Sequence, residues 1–390
     1  MSSSVAPTES AGPAEREGGL PGRRIALSCS GLGDVMRGSE RHYLGLYRTL
    51  KNDAPLVLFH GGRDAPGTRL PRIPRSSPLL RPLPPSGRMA VEVWSFALPL
   101  LAALRAGRFD LVNHSDMRMA KVRKYLPRRA VPTKFLYTNG AETPPWITAS
   151  FDFLHCVTPT DYEAALAYGL PRDRVFLIPY AVDVDAFRPV EPEEKDRLRD
   201  RYGIPRDAFV VASLGFLSVD SHKRPRWIIQ ETAAAGPDVF LFFAGEQDES
   251  AAILRREAGE KLGPRAILTR LPLEAAVQAY HLADLFVLGS LHEAFGIVVI
   301  EAMACGLPVV VHDFASLRWI AGDAGSVVDM ARAGALASEI RFCRENPGIL
   351  RQRGLLARRH AVERFSWGAL KPAYLDMFRR CLELPRREGA

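Results

Sequence analysis

The sequence predicts an α/β protein with two domains, and three observations lead to that prediction. Short apolar runs such as 285–288 and 309–311 have the length and composition of buried parallel strands. A helical pattern lies between them at 297–305, and it ends at Gly306 with Pro308 just beyond. At 390 residues, the chain is too long for one typical core. We therefore expect strands and helices to alternate in the parallel sheets of two domains.

The segment 284–313 is the most informative part of the sequence, because it contains a complete βαβ unit. Its loop lies at the carboxyl ends of the strands, where open α/β sheets bind ligands. Two carboxylates lie in the unit, Glu293 in the loop and Glu301 in the helix. If both were helical, eight rises would separate them by roughly 12 Å. A retaining hydrolase of sugars needs its two carboxyls about 5–5.5 Å apart, so we expect these two to have separate tasks around one ligand.

The residues before the helix predict a phosphate site. Phe295, Gly296 and Ile297 mark a helix N-terminus, where free amides and the helix dipole attract phosphate. The glycine lets a ligand come close to the backbone. Glu293 precedes this site and is placed to accept hydrogen bonds from a sugar, while Glu301, a turn deeper, is placed to accept them from ribose. The alternative is a Rossmann-like unit whose glutamates are merely solvated.

A family resemblance follows from this unit. Glu293, seven residues and Glu301, set in HEAFGIVVIEAMACGLPVVV, resemble the donor-site signature of retaining nucleotide-sugar glycosyltransferases of the GT-B fold, family 4, also called glycosyl transferases group 1. The resemblance implies two Rossmann-like domains that face each other across a cleft, and a C-terminal helix that crosses back to the first domain. It covers roughly residues 23–384 and is strongest over 284–313.

The resemblance also implies a division of the chain. We expect a disordered tail at 1–22, an acceptor-binding domain at 23–180, a domain that binds the nucleotide sugar at 181–365, and a crossing helix at 366–390. The tail is rich in Pro, Gly, Ser and Glu, and it has no apolar stretch typical of a signal peptide.

Composition narrows the classes of partner. The formal net charge of +8 suits an anionic ligand such as a nucleotide sugar, but it is too weak alone to imply nucleic acid. Five scattered cysteines without metal or redox spacing predict reduced thiols in a cytoplasmic protein. The apolar run at 94–104 is too short to span a bilayer. We expect a soluble protein with no cofactor and no metal, and we leave open a peripheral contact with the anionic inner face of a membrane.

Three residues of the first half are candidates for the site. The loop at 30–40 misses the dinucleotide fingerprint, but the resemblance places Gly38 closest to the substrate. His114 follows a strand end where the family often has a histidine near the acceptor. Asn139 stands where the family commonly has a histidine that bonds to the donor sugar, and an asparagine cannot take up a proton.

Three further segments of the first half bear on function, and two of them leave two interpretations open. The segment 63–88 is rich in Pro, Arg and Ser and predicts a long irregular loop, of a kind that is often functional. A helix at 91–104 is either core or a face for the acceptor or a membrane. The basic segment 118–134 is either solvated or binds a phosphate-bearing or lipid-linked acceptor.

The second half supplies the basic groups. By the resemblance, Lys223 is the lysine that lies against the diphosphate. Phe216 stands in place of the family's arginine, which either weakens donor binding or shifts the charge to Arg224. Arg270 and Leu271 lie where family members hold the base with backbone groups. The pair Asp183 and Asp185 could be mistaken for a metal-binding motif, but a turn and linker are preferred here, because no other acidic ligand lies nearby in the sequence.

The resulting prediction is retaining transfer of a hexosyl unit from a UDP- or GDP-sugar to a hydroxyl of a glycan, lipid-linked or small-molecule acceptor. Catalysis is assigned to Glu293, Lys223 and Asn139, with Lys223 and the amides near Gly296 stabilising the departing diphosphate. Two alternatives stay open at this point: a nucleotide-sugar epimerase of the same fold, and a non-catalytic scaffold, which the asparagine at 139 and the phenylalanine at 216 make plausible.

Overall fold

The computed structural model of the protein describes residue 20 and residues 22–34, 38–74, 76–120, 122, 131–272 and 275–387. The expected tail at 1–22, apart from residues 20 and 22, lies outside these residues, as do residues 121 and 123–130 of the basic segment. Within the described part, the strands form two parallel sheets, one in each half of the chain.

The first sheet contains seven strands of the described residues in the order β3-β2-β1-β4-β5-β6-β7. Their bounds are β1 Ile25–Cys29, β2 Leu56–His60, β3 Thr68–Arg69, β4 Leu111–His114, β5 Lys134–Asn139, β6 Phe153–Cys156 and β7 Val175–Leu177. The second sheet contains six, in the order β10-β9-β8-β11-β12-β13. Their bounds are β8 Phe209–Leu214, β9 Val239–Ala244, β10 Ala266–Thr269, β11 Leu285–Leu288, β12 Val309–His312 and β13 Ser326–Val328. All neighbouring pairs are parallel.

Helices cover both sheets, as parallel strands require. Those of the first half are α1 Gly38–Leu50, α2 Pro85–Ala106, α3 Pro145–Thr148 and α4 Pro159–Ala167. Those of the second half are α5 Pro192–Tyr202, α6 Pro225–Ala235, α7 Ala251–Leu262, α8 Ala276–His281, α9 Ile297–Ala304, α10 Ala315–Ala321, α11 Ala335–Glu345, α12 Pro347–Phe365 and α13 Trp367–Glu383. The two-domain α/β fold is therefore confirmed.

The last helix, α13, follows the second domain but packs on the first. Tyr374, Met377 and Phe378 are buried in one apolar cluster with strand residues such as Ile25 and Leu27. The crossing helix expected from the sequence is present. Lys134 fixes its C-terminal end, because the ammonium donates to the carbonyls of residues 381, 382 and 384 at 3.0, 2.6 and 2.5 Å. This lysine of the basic segment is therefore bound to the protein rather than solvated.

Several local expectations differ from the structure. The expected loop 63–88 includes the short strand β3, a 3₁₀ turn at Pro78–Leu80 and the start of α2. The apolar run at 94–104 belongs to this longer helix, because a proline at the first position lets the helix begin near Pro85. Within the described residues, Ser86–Ala106 is the one helix long and apolar enough to cross a membrane by length and composition, and a third of it is buried.

The connection between the domains is a turn, as expected. One carboxylate oxygen of Asp183 accepts the amides of Asp185 and Ala186 at 3.1 and 3.0 Å. The chain crosses back beside this turn, and the amide of Val182 donates to the carbonyl of Phe365 at 2.7 Å. The sequence also predicts that this linker extends over residues 189–194, but α5 already begins at Pro192.

Candidate functional site

The topology places the candidate site at the edge of the second sheet. The strand order reverses between β8 and β11, and ligands of open α/β sheets bind in the crevice beyond such a switch point. The loop after β8 spans 215–224, and the loop after β11 spans 289–296. The first sheet has the same reversal between β1 and β4, so the loop before α1 faces a matching position.

Lys223 and Glu293 meet at this switch point. The Lys223 ammonium donates to one carboxylate oxygen of Glu293, and the Ser290 hydroxyl donates to the same oxygen at 3.1 Å. Both charged side chains are mostly buried. A glycine is needed at Gly215, because a Cβ there would lie 2.6 Å from the Lys223 side chain. The loops after β8 and β11 thus bring together two groups that lie 70 residues apart.

The amides of α9 begin beside this pair. Gly296 precedes the helix with φ of 80°, a conformation that favours glycine, and a Cβ there would lie 3.2 Å from the Glu293 side chain. Among the described residues, no side chain caps this helix. The Val299 amide is bonded to the Gly296 carbonyl at 2.8 Å, so the leading amides belong to Ile297 and Val298. An uncapped helix start beside a lysine is suited to an anion.

Glu301 lies one turn deeper and is almost fully buried. The Tyr280 hydroxyl donates to one of its oxygens at 2.7 Å, and the Arg41 guanidinium donates to the other. Arg41 belongs to α1 of the first domain. Sequence reasoning missed both partners, since neither lies near Glu301 in the chain. The position of Gly38 also faces α9, because a Cβ built there would lie 3.7 Å from the Ile297 side chain.

Two residues predicted to bind the nucleotide sugar, Phe295 and Arg224, make contacts within the protein instead. Phe295 is buried and packs edge-on against Tyr180, with ring centroids 5.1 Å apart, so its ring belongs to the core. The Arg224 guanidinium lies 4.2 Å from the Trp227 ring centroid and donates to the carbonyls of Gly289 and Met330 at 3.3 and 2.9 Å. Arg224 therefore fastens the loops after β8 and β11 to each other and to the end of β13, and burial lowers its pKa. Because the Arg224 guanidinium is engaged in these contacts, it does not stand in for the family's arginine at position 216. Phe216 itself is 44% exposed.

The first-domain candidates contact their own domain. The Asn139 side chain closes a turn, since its oxygen accepts the Thr143 amide at 2.8 Å and its nitrogen donates to the Thr143 carbonyl at 3.3 Å. His114 is buried, and the Phe151 and Tyr137 rings lie 4.8 and 5.5 Å from its ring. The structure does not bring either of these side chains into contact with Lys223 or Glu293.

The two residues predicted to lie near the base, Arg270 and Leu271, directly follow β10. Arg270 forms an exposed ion pair with Glu246 at 2.8 Å, and Leu271 packs partly buried against the core of the second domain.

The basic segment 118–134 is also partly explained by local contacts, because Arg118 pairs with Asp116 at 2.7 Å. No group of three or more His, Cys, Asp or Glu side chains in the described ranges is arranged to hold a metal ion.

Comparison with known proteins agrees with this architecture. The profile of the family described as "Glycosyl transferases group 1" matches residues 208–346, which include both loops of the site. A D-inositol 3-phosphate glycosyltransferase of Xylanimonas cellulosilytica is 30% identical over 288 residues, which cover 70% of this chain and 68% of that protein.

Two solved structures share the fold. Sucrose-phosphate synthase from Thermosynechococcus elongatus has a TM-score of 0.74 at 21% identity, over 92% of this chain and 98% of that one. Anabaena HepE, in complex with UDP and glucose, has a TM-score of 0.72 at 17% identity, over 92% and 99%. At these identities the structures show the GT-B fold, while the family profile and the curated relative show the family. The chain therefore belongs to the glycosyl transferases group 1 family and is a glycosyltransferase of the GT-B fold.

Proposed function

We propose that this protein transfers a hexosyl unit from a UDP- or GDP-sugar to a hydroxyl group with retention at the anomeric carbon, as a family 4 enzyme. One observation carries the proposal: Lys223 and Glu293 meet beside the uncapped start of α9, at the switch point of the second sheet. A cation and helix amides together suit a diphosphate, and a carboxylate beside them suits the hydroxyls of a sugar.

In this proposal each part of the donor has its own partners. The diphosphate lies against the Ile297 and Val298 amides and the Lys223 ammonium. Glu293, held by Ser290, accepts hydrogen bonds from the sugar. Glu301 accepts them from the ribose. The base lies near the end of β10, against the backbone of Arg270 and Leu271.

The reaction exchanges one bond for another on the same face of the sugar. The bond from the anomeric carbon to the diphosphate oxygen breaks, and the acceptor oxygen bonds to that carbon. The acceptor proton passes to the departing phosphate oxygen. Lys223 and the α9 amides stabilise the negative charge that develops on the leaving group, which is the largest contribution expected of such a site. Asn139 acts indirectly in this scheme, by fixing the turn to Thr143 at the end of β5.

Binding and turnover test the proposal together. Purified protein is heated with UDP-glucose, UDP-galactose, GDP-mannose or free nucleotides, and the matching nucleotide at 100 times its Kd should stabilise the fold by about 2.7 kcal/mol. The Glu301→Ala and Lys223→Ala variants should lose donor binding and turnover, respectively. The configuration of the product, followed by proton NMR, should match that of the donor.

Three outcomes would contradict the proposal. Altered sugar and free nucleotide without any acceptor would indicate an epimerase. Nucleotide binding without consumption of any donor would indicate a scaffold. Unchanged binding and turnover in both variants would mean that the donor lies elsewhere.

The acceptor side supports a narrower proposal, which is contact of the first domain with an anionic lipid surface. Large apolar side chains are exposed within 73–98, among them Leu79 at 82% and Leu98 at 53%, with the basic Arg81 and Arg88 between them. Aliphatic and basic side chains together are typical of peripheral membrane binding.

Sedimentation with vesicles tests the lipid contact. Vesicles with anionic phosphatidylglycerol should retain the protein, and vesicles of phosphatidylcholine alone should not. The Leu79→Glu and Leu98→Glu double variant should stay in solution. Leu355 lies in the second domain and is 69% exposed, so Leu355→Glu is the matched control and should sediment like the wild type. Equal sedimentation of all three proteins would contradict the proposal.

A further inference from the structure

One charged contact crosses the cleft between the domains at the proposed donor site. Arg41, in the first turn of α1, donates from its guanidinium to one carboxylate oxygen of Glu301 on α9. The Glu301 side chain is 3% exposed and that of Arg41 is 20% exposed. Water screens the attraction between these two charges less than in a surface pair, and loss of one partner would leave the other charge buried and unpaired.

The second domain does not complete the surroundings of Glu301 from its own residues. The Tyr280 hydroxyl of the second domain donates to one carboxylate oxygen of Glu301, and Arg41 of the first domain donates to the other. Burial is the largest single influence on the pKa of Arg41 and lowers it, but the Glu301 charge, Tyr280 and the hydrogen bond to Glu301 together outweigh burial and raise the pKa, so the arginine remains a cation. The charge that balances Glu301 thus comes from across the cleft.

The first turns of α1 and α9 run beside each other. Gly38 at the start of α1 faces the start of α9, where a Cβ at Gly38 would lie 3.7 Å from the Ile297 side chain. Arg41 contacts Glu301 about one turn further along each helix. In the proposed donor site, the diphosphate lies beside Gly38 and Ile297, and the ribose lies beside Arg41 and Glu301. One helix of the first domain therefore reaches both.

We propose that Arg41 is a positioning residue for the nucleoside part of the donor. It fixes the carboxylate of Glu301 when the two domains are closed, so recognition of the ribose depends on domain closure. A carboxylate has about four acceptor positions, so hydrogen bonds from Arg41 and Tyr280 leave two for the ribose hydroxyls. This inference rests on the proposed function, in which Glu301 binds the ribose.

The test measures ribose selectivity by calorimetric titration of the full chain with UDP and with 2′-deoxy-UDP. The wild type should bind UDP about tenfold more tightly, because a hydrogen bond to a charged group is lost in the deoxy nucleotide. Arg41→Met should weaken UDP binding about tenfold and reduce the UDP preference to near one. Arg41→Lys keeps a cation and should restore part of the preference. The ratio of the UDP affinity to the 2′-deoxy-UDP affinity is measured within one protein, so partial unfolding of a variant does not alter this ratio.

The control is Arg48→Met, since Arg48 lies exposed on the same helix, and it should bind both nucleotides like the wild type. An Arg41→Met variant that keeps the wild-type affinity and ribose preference overturns the inference. A variant that binds UDP more tightly also overturns it, because Arg41 would then compete with the ribose. Failure of the proposed donor site looks different: neither UDP nor GDP would bind the wild type, or Glu301→Ala would bind as well as the wild type.

Discussion

At the residue scale, the site depends on pairs of opposite charge that the sequence shows only as single residues. Glu293 was predicted from its place before α9 and Lys223 from the family resemblance, and the structure joins the two by a hydrogen bond. A diphosphate would compete with Glu293 for the Lys223 ammonium. In the proposed function, the Lys223 ammonium would exchange the Glu293 carboxylate for the diphosphate when the donor binds.

Replacing Lys223 by alanine tests its role at the leaving group. We expect kcat to fall by about 100-fold or more, as when one preorganised donor is removed from a transition state. The donor KM should change less than kcat. Release of the nucleotide in a coupled assay measures both, with Lys261→Ala as the control, because Lys261 is exposed on α7. A loss confined to KM would indicate that Lys223 binds the donor without aiding its cleavage.

A second residue-scale prediction concerns pH. His155 is fully buried between β5 and β7, its ring nitrogens lie 3.1 Å from the Thr138 hydroxyl and 2.8 Å from the Ile178 carbonyl, and burial lowers its pKa to about 4. Between its ordinary value of 6.5 and about 4, the unfolded chain binds a proton that the folded protein does not. The contribution of His155 to stability is therefore present above pH 6.5 and lost as the pH falls toward 4.

The His155→Gln variant isolates this effect, because glutamine keeps a donor and an acceptor but does not titrate in this range. The free energy of unfolding of the wild type minus that of the variant should fall by up to about 3 kcal/mol between pH 7 and pH 4. Urea unfolding at several pH values measures this difference, in which the titration of other groups cancels. A difference that is independent of pH would contradict the prediction.

At the element scale, the parts that the sequence predicted well are those with a strong local pattern. The strands at 285–288 and 309–312 and the helix between them were found because buried parallel strands are continuous apolar runs. The helix α5 was missed because it is dominated by charged residues and has little apolar periodicity. The contacts of Glu301 with Arg41 and Tyr280 left no local signal, since they join distant elements.

The crossing helix α13 supports a prediction at this scale. Phe378 is fully buried where α13 packs on the first sheet, so Phe378→Ala should destabilise the first domain by about 3–5 kcal/mol. Hydrogen exchange measured by mass spectrometry should show a larger increase in exchange rate over the wild type in β1 and α1 than in β8 and β11. Phe342→Ala is the control, because Phe342 is 39% exposed on α11. Equal loss of protection in both domains would mean that the domains unfold as one unit.

At the scale of the whole molecule, the two domains are joined by the chain connections, by α13 and by contacts across the cleft. The hinge consists of two chain crossings side by side, at Val182 and at Phe365, linked by one backbone hydrogen bond. Across the cleft, Arg41 pairs with Glu301, and the start of α1 faces the start of α9, where a Cβ at Gly38 would lie 3.7 Å from the Ile297 side chain. If the domains rotate about these two short segments, the contacts across the cleft bias the population of the closed form.

Removing the charge across the cleft should therefore open the molecule. We expect Arg41→Met to have a larger radius of gyration than the wild type in X-ray scattering without added nucleotide, because an unpaired Glu301 gains hydration when the cleft opens. Arg48→Met should scatter like the wild type. High salt should change the wild type little, since the pair is shielded from solvent. If Arg41→Met stays as compact as the wild type, apolar packing rather than the charge pair holds the cleft closed, and the role of Arg41 is confined to the orientation of Glu301.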